Sequence, residues 1–255
     1  MSEVEVPSAI ALAWGVHERP SPGPKRTLSL EQIVIAGTSI ARSEGLAAVS
    51  MARVATEIGV STMALYRYVA SKDDLLELMV DSGLGQPPRL PPNTPWRSGL
   101  RAWAEGCRDA YRGDPWALKV PITGPPLGPN NVRWLEFGLS VLSETLLSAQ
   151  QKLSTVLTLS AFVRGEETLR TDILAHVTKT GQMAPDYGQV LTLLIDPAHF
   201  PEVHKAITAG SLSDDDPGDI GMNAEFEFGL ERILDGVEAL VRATRRARPK
   251  SARRD

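Results

Sequence analysis

One cysteine, Cys107, stands in 255 residues. A lone thiol excludes an internal disulfide and a cysteine metal cluster, and it fits a reducing cytoplasm. Histidine is nearly as scarce. His17 and His176 are isolated, and His199 and His204 sit five apart across Pro201, off any shared helix face, so no zinc site is expected. Asp214, Asp215, Asp216 and Asp219 lack the glycine and glutamate of a calcium loop. The Gly- and Pro-rich stretch Lys119–Asn130 has no Gly-Lys-Ser/Thr after it and is no phosphate loop. No cofactor motif is present. No apolar run approaches the roughly 18 residues of a membrane span, and the start, Met-Ser-Glu-Val-Glu-Val-Pro, lacks the basic region of a signal peptide. No catalytic set emerges either. Cys107 has no histidine near it in sequence, and Glu166-Glu167 reads as a solvated or intrahelical pair. Excess positive charge is missing too, since the net charge is −4.

What is present is helical patterning, and it centres on Ser50–Val69. Ser50 and Ser61 are N-cap candidates, and Gly59 lies between them where a turn needs positive φ. Val54, Ala55, Ile58, Val60, Leu65 and Val69 form an inward set, with Ala55 small where two helices cross. Thr62/Tyr66 and Met63/Arg67 are i, i+4 pairs on the opposite side. This spacing predicts a helix-turn-helix whose second helix suits a DNA major groove. A preceding helix, Ser29 to Ser43, offers Leu30, Ile33, Val34, Ile40 and Ala41. A following one begins at Ser71, with Asp73 and Asp74 in its first turn. Between Lys25 and Asp81 six basic residues face seven acidic ones (Glu31, Glu44, Glu57, Asp73, Asp74, Glu77, Asp81), so placement, not total charge, has to favour phosphate.

The run Gly59–Leu76, above all Leu65-Tyr66-x-Tyr68-Val69 and Ser71-Lys72, closely resembles the DNA-binding head of the TetR family of bacterial repressors. The resemblance implies a protein that reads double-stranded DNA as a homodimer on a palindromic operator. Thr62 is placed to reach a base edge or phosphate, Met63 and Ala64 a thymine methyl, and Arg67 a guanine or phosphate. Tyr66, Tyr68 and Lys72 resemble the family's phosphate-contacting residues. Ser50 and Arg53 start the first motif helix near the DNA backbone. Lys25 and Arg26 close a Pro-rich arm, residues 1–24, that reads as mostly flexible, with Ala9 to Trp14 as a short apolar turn; the two basic side chains could reach phosphate or an adjacent minor groove. Ala52 stands where many relatives carry a polar or basic reader, so the operator does not follow by analogy.

The head thus spans residues 25–84. Gly83–Pro95, with five prolines, separates it from an all-helical body over 95–248. Helices are expected near Trp96–Arg112, Asp114–Lys119, Asn131–Ser148, Gln150–Thr180, Tyr187–Leu194, Pro201–Thr208 and Asn223–Arg246. The last carries Phe226, Leu230, Ile233, Val237, Leu240 and Val241 at helical spacing, which suits either core or an interface; the resemblance implies a four-helix bundle between two subunits, and these six become its candidates. The basic residues from Arg242 to Arg254 read as a solvated terminus. Layout from Trp96 to Arg170 resembles the tetracycline-repressor type of body. It implies a small-molecule effector, apolar or amphipathic, with Trp103, Trp116, Trp134, Phe137 and Phe162 as candidate lining by composition. The expected protein is an all-α, ligand-responsive transcriptional repressor, not an enzyme. Its rivals are a DNA-binding protein with an effector-free structural body and a small-molecule-binding protein that has lost DNA binding.

Overall fold

The computed structural model describes residues 6–16, 28–180, 185–212 and 222–247. Lys25, Arg26, His17, the aspartates at 214, 215, 216 and 219, and the basic residues Arg248, Lys250, Arg253 and Arg254 lie outside them. Among the described residues all regular structure is helical, and no helix is long and apolar enough to cross a membrane.

The head holds α1 (Ser8–Ala13), α2 (Leu30–Glu44), α3 (Met51–Ile58), α4 (Thr62–Leu65) and α5 (Lys72–Leu84). Ser29 opens α2 with a reciprocal cap: its hydroxyl accepts from the Gln32 N–H at 3.2 Å, and the Gln32 side chain accepts from the Ser29 N–H at 2.9 Å. Ser50 caps α3 and Ser71 caps α5 in the same one-sided way. Ile33, Ile40, Val54, Leu65, Val69, Leu75 and Met79 fill the core, while Leu30 is only half-buried at its rim. Gly37 lets α2 lie close to α5, since a Cβ there would fall 2.7 Å from the Met79 sulfur.

Within the amino-terminal arm, the short apolar turn expected at Ala9–Trp14 is a helix packed on the head. Residues 8–13 form α1, and Ala9 and Ile10 are buried in the head core. The Trp14 indole N–H donates to the Leu127 carbonyl at 2.8 Å. The cause is the apolar run Ala9–Leu12, which covers a face of α5. Burying Ile10 alone is worth about 1.5–3 kcal/mol.

The body holds α6 (Trp96–Gly113), a 3-10 turn at Pro115–Lys119, α7 (Pro129–Val141), α8 (Ala149–Thr180), α9 (Tyr187–Leu194), α10 (Pro201–Thr208) and α11 (Met222–Ala247). Helix α6 is central and touches α5, α7, α8 and α11. Arg97 and Arg101 bind Glu227, Glu231, Asp235 and Glu238 along the flank of α11. Arg97's hydrogen bond draws the Glu231 carboxyl below its ordinary range. One expected helix, Asn131–Ser148, is shorter than its periodicity suggests. It ends at Val141, turns over 142–148, and restarts because Ser148 and Gln151 form a second reciprocal cap.

Asp81 joins the two halves. It is a buried carboxylate near the end of α5, and it accepts from the N–H groups of Asn130 (3.2 Å) and Asn131 (2.8 Å) and from the Asn131 side-chain amide (2.8 Å). It therefore caps α7, whose N-terminal N–H groups have no partner within their own helix. Gly128 is required beside it: a Cβ there would lie 2.2 Å from the carboxylate oxygen. Asp81→Ala strands three donors at a part-buried seam. The expected cost is on the order of 3 kcal/mol, read by calorimetry as a melting temperature lower by roughly 10 °C. An unchanged melting temperature would mean that α7 does not depend on this cap.

Candidate functional site

Gly59 sits at φ +77° and closes the end of α3, with the Val60 N–H donating to the Ala55 carbonyl at 3.0 Å. That turn delivers α4 at a fixed angle. Leu65 is fully buried and anchors it. Helix α4 is shorter than expected, four residues, and continues as a turn through Tyr66–Tyr68 because the N–H groups of Tyr68 and Val69 both reach back to the Leu65 carbonyl. Ser61 occupies the cap position, yet its hydroxyl accepts no capping hydrogen bond.

The outer face of this unit brings together most of the expected readers. Met63 is 73% exposed and Tyr66 46% exposed. Arg67 and Lys72 are exposed, Thr62 is half-exposed at the start of α4, and Ser61 beside it is exposed. Sequence reasoning used Ser61 only as a cap; its free hydroxyl adds one more polar group at this edge. Ala64 turns partly inward and packs against the head core. Ser50 is exposed but spends its oxygen on the cap of α3.

Two residues have other work. Arg53 is held by Glu44 at 2.6 Å and by Glu57 at 2.7 Å, and these hydrogen bonds raise its pKa further. Its guanidinium is a brace between α2 and α3, not an unpaired phosphate donor. Tyr68 donates its hydroxyl proton to the Leu28 carbonyl at 2.8 Å. A phosphate oxygen only accepts, so in this arrangement the Tyr68 hydroxyl is a tether for the chain entering α2.

The expected lining of the body is mostly packed interior. The Trp103 indole donates to the Trp134 carbonyl at 2.9 Å, and the Trp134 indole to the Gly85 carbonyl at 3.0 Å. Trp103 meets Trp134 edge to face, as Trp134 meets Phe137. Phe162 stacks on Phe226 and lies over Gly229, where a Cβ would come within 2.5 Å. Trp116 belongs elsewhere. It packs on the head core and donates to Asp114 at 2.7 Å. Asp114, buried, also accepts two hydrogen bonds from Arg42 of α2, at 2.6 and 2.8 Å. This latch between head and body had no visible signal, because Arg42 and Asp114 are 72 residues apart.

Cys107 is buried, and burial pushes its thiol pKa far up. The thiolate is the reactive form, so native protein is expected to resist a disulfide reagent such as Ellman's reagent until it is unfolded. Stoichiometric release of the chromophore from folded protein would contradict that burial.

The stripe expected at an interface also needs correction. Phe226, Leu230 and Val241 are buried within the chain, as are Val237 and the unforeseen Leu234. They face α6 and α8. Helix α11 has a second, neighbouring face with Ile233, Gly236 and Leu240. Together with Ser154 and Thr158 of α8 these line a shallow groove, and a Cβ on Gly236 would meet nothing within 4 Å. Of the six interface candidates, only Ile233 and Leu240 are available at the surface.

Comparison with known proteins agrees with this layout. The family model for bacterial regulatory proteins of the tetR family matches residues 33–79, and that for the Tetracyclin repressor-like C-terminal domain matches residues 87–241. The HTH-type transcriptional repressor DrrR1 of Streptomyces coeruleorubidus is 34% identical over 247 residues, covering 93% of this chain and 87% of that protein. Among solved structures, apo ActR of Streptomyces coelicolor aligns with a TM-score of 0.70 at 24% identity, over 86% of this chain and 98% of that one. ActR in complex with actinorhodin aligns with a TM-score of 0.69 at 25% identity, over 83% and 96%. The matched family is one of transcriptional regulators, which is not a class of enzyme. With a head and a body both matched in order and a third of the residues shared along nearly its whole length, the chain belongs to the TetR family of transcriptional regulators.

Proposed function

We propose that the protein is a homodimeric repressor that binds a two-fold palindromic operator and leaves it when a small molecule binds the body. The observation that carries this is the exposed face of α4 and the turn after it, with Met63, Tyr66 and Arg67 outward and Leu65 fixed inward. A single head makes few contacts, so two joined heads supply the affinity, and their separation sets the half-site spacing. The second face of α11, around Ile233, Gly236 and Leu240, supplies the surface for a partner copy, with α8 beside it. Lys25 and Arg26 are offered as a further phosphate contact, on their charge alone.

Effector response has support of two kinds. A relative of the same fold binds actinorhodin. Asp81 and the Trp134 indole tie the end of α5 to the body, and Asp114 ties α2 to it through Arg42, so a shift of α6 or α7 reaches the head at three points. Because the aromatic side chains are packed, an effector among them has to displace side chains. Selection of bound duplexes from a random pool, followed by a screen for compounds that release the preferred one, tests the whole reading. Failure to enrich a two-fold sequence would sink operator binding; an operator that no compound releases would favour an effector-free structural body.

A further inference from the structure

Where the last turns of α6 meet α8 and the start of α11, one carboxylate faces three guanidinium groups. Glu167 is 1% exposed. Its Oε1 accepts from Arg108 Nε at 2.9 Å and from Arg112 Nε at 3.2 Å. Its Oε2 lies 3.3 Å from Arg112 Nε and 3.6 Å from Arg170 Nη1, the latter too long for a hydrogen bond. The neutral Asn223 amide oxygen takes Arg108 Nη2 and Arg112 Nη2. The Arg108 guanidinium also lies 4.0 Å from the centroid of the Phe226 ring.

Arg108 is buried and matched, by Glu167 on one side and by the ring on the other. Arg112 and Arg170 are not matched in the same way. Their side chains are each 30% exposed, and among the described residues Glu167 is the only carboxylate paired to any of the three. The cluster therefore holds three positive charges to one negative at the border between a dry interior and solvent. Structure accounts for part of this: Arg108 serves Oε1, and Arg112 supplies the hydrogen bond on Oε2. Arg170 makes no hydrogen bond to the carboxylate and adds repulsion. The carbonyl end of α6 favours cations near Arg112, but Arg170 stands within α8, away from either end of that helix.

We propose that Arg112 and Arg170 form the anion-recognition end of the effector site, with Glu167 and Arg108 holding them in position. The effector group they take is a carboxylate or a comparable oxyanion, which the planar guanidinium fork fits. The effector is then amphipathic with an anionic end, not simply apolar. This rests on the ligand-responsive reading above. It also gives that reading a direction: an anion drawn between α6 and α8 acts on the helix that contacts α5.

The test uses the full-length protein and two fluorescent probes that differ in one charge, 1-anilinonaphthalene-8-sulfonate and the neutral N-phenyl-1-naphthylamine. The double variant Arg112→Gln with Arg170→Gln keeps a polar, hydrogen-bonding end on a shorter side chain and removes both charges. It is expected to weaken sulfonate binding by at least about tenfold and to leave the neutral probe unchanged. Equal loss for both probes, or no loss for the sulfonate, overturns the site. Should the double variant melt below the assay temperature, Arg170→Gln alone carries the same comparison, since Arg170 makes no hydrogen bond to Glu167. Operator retention is scored in parallel. Charge-dependent probe binding without operator release keeps the anion site and removes effector-driven release, so the two readings fail separately.

Discussion

Arg67→Ala combined with Tyr66→Ala is expected to lower operator affinity at least about 100-fold, since each lost base or phosphate contact is worth about 1–3 kcal/mol and a dimer loses every contact twice. Neither side chain supports the fold. Both are exposed, and the core beneath them is supplied by Leu65 and Val69. The far-ultraviolet spectrum, melting temperature and sedimentation of the double variant should therefore match those of the parent. Salt adds a second readout. Phosphate contacts release counterions, so losing them flattens the dependence of affinity on salt. A gel shift with the selected operator measures the first effect, and the same titration at several salt concentrations measures the second. Unchanged affinity would remove the face formed by α4 and the turn after it from the DNA interface, whatever the fold resemblance.

The second large effect separates the two faces of α11. Leu230 is fully buried. Leu230→Arg buries an unpaired charge in the body core, and the expected loss is more than about 4 kcal/mol, enough to abolish cooperative unfolding of the body. Ile233→Glu with Leu240→Glu acts on the neighbouring face, which is half-buried in the single chain. These glutamates can stay solvated, so a folded monomer is expected. Repulsion across the two-fold axis then blocks association, and operator affinity drops by about 10²-fold or more as the second head is lost. Analytical ultracentrifugation distinguishes the cases. A dimer that survives both glutamates would place the contact between subunits outside this groove.

The head was far more legible in the sequence than the body, for a physical reason. Its determinants are local: Ser29, Ser50 and Ser71 cap helices within three residues of themselves, and Gly59 makes a turn that needs positive φ. Local hydrogen bonds leave local patterns. The body is decided by long-range partners. Glu167 looks like a surface residue beside Glu166, and only folding brings it Arg108, 59 positions earlier. Trp116 looks like any aromatic of the body until Asp114 and Arg42 turn it to the head. Helix α11 misled in another way. Its apolar residues are spread over two adjoining faces, and periodicity alone cannot say which one the chain buries for itself. Trp103 and Trp134 were legible as apolar bulk, but not as donors to the carbonyls of Trp134 and Gly85. Substituting Trp103 therefore tests core packing before it tests any ligand.

On the proposed effector response, Asp81 has a bearing on how the protein answers dose. The same side chain belongs to the lever that carries the head and to the first turn of a body helix. Displacing one against the other strains three hydrogen bonds at once, because a single carboxylate accepts all of them. The junction is either seated or broken, with little in between. A population of such molecules answers a rising signal by changing how many have switched, not how far each has moved. Loosening that contact should make the switch leaky at zero signal before it makes it blind at high signal.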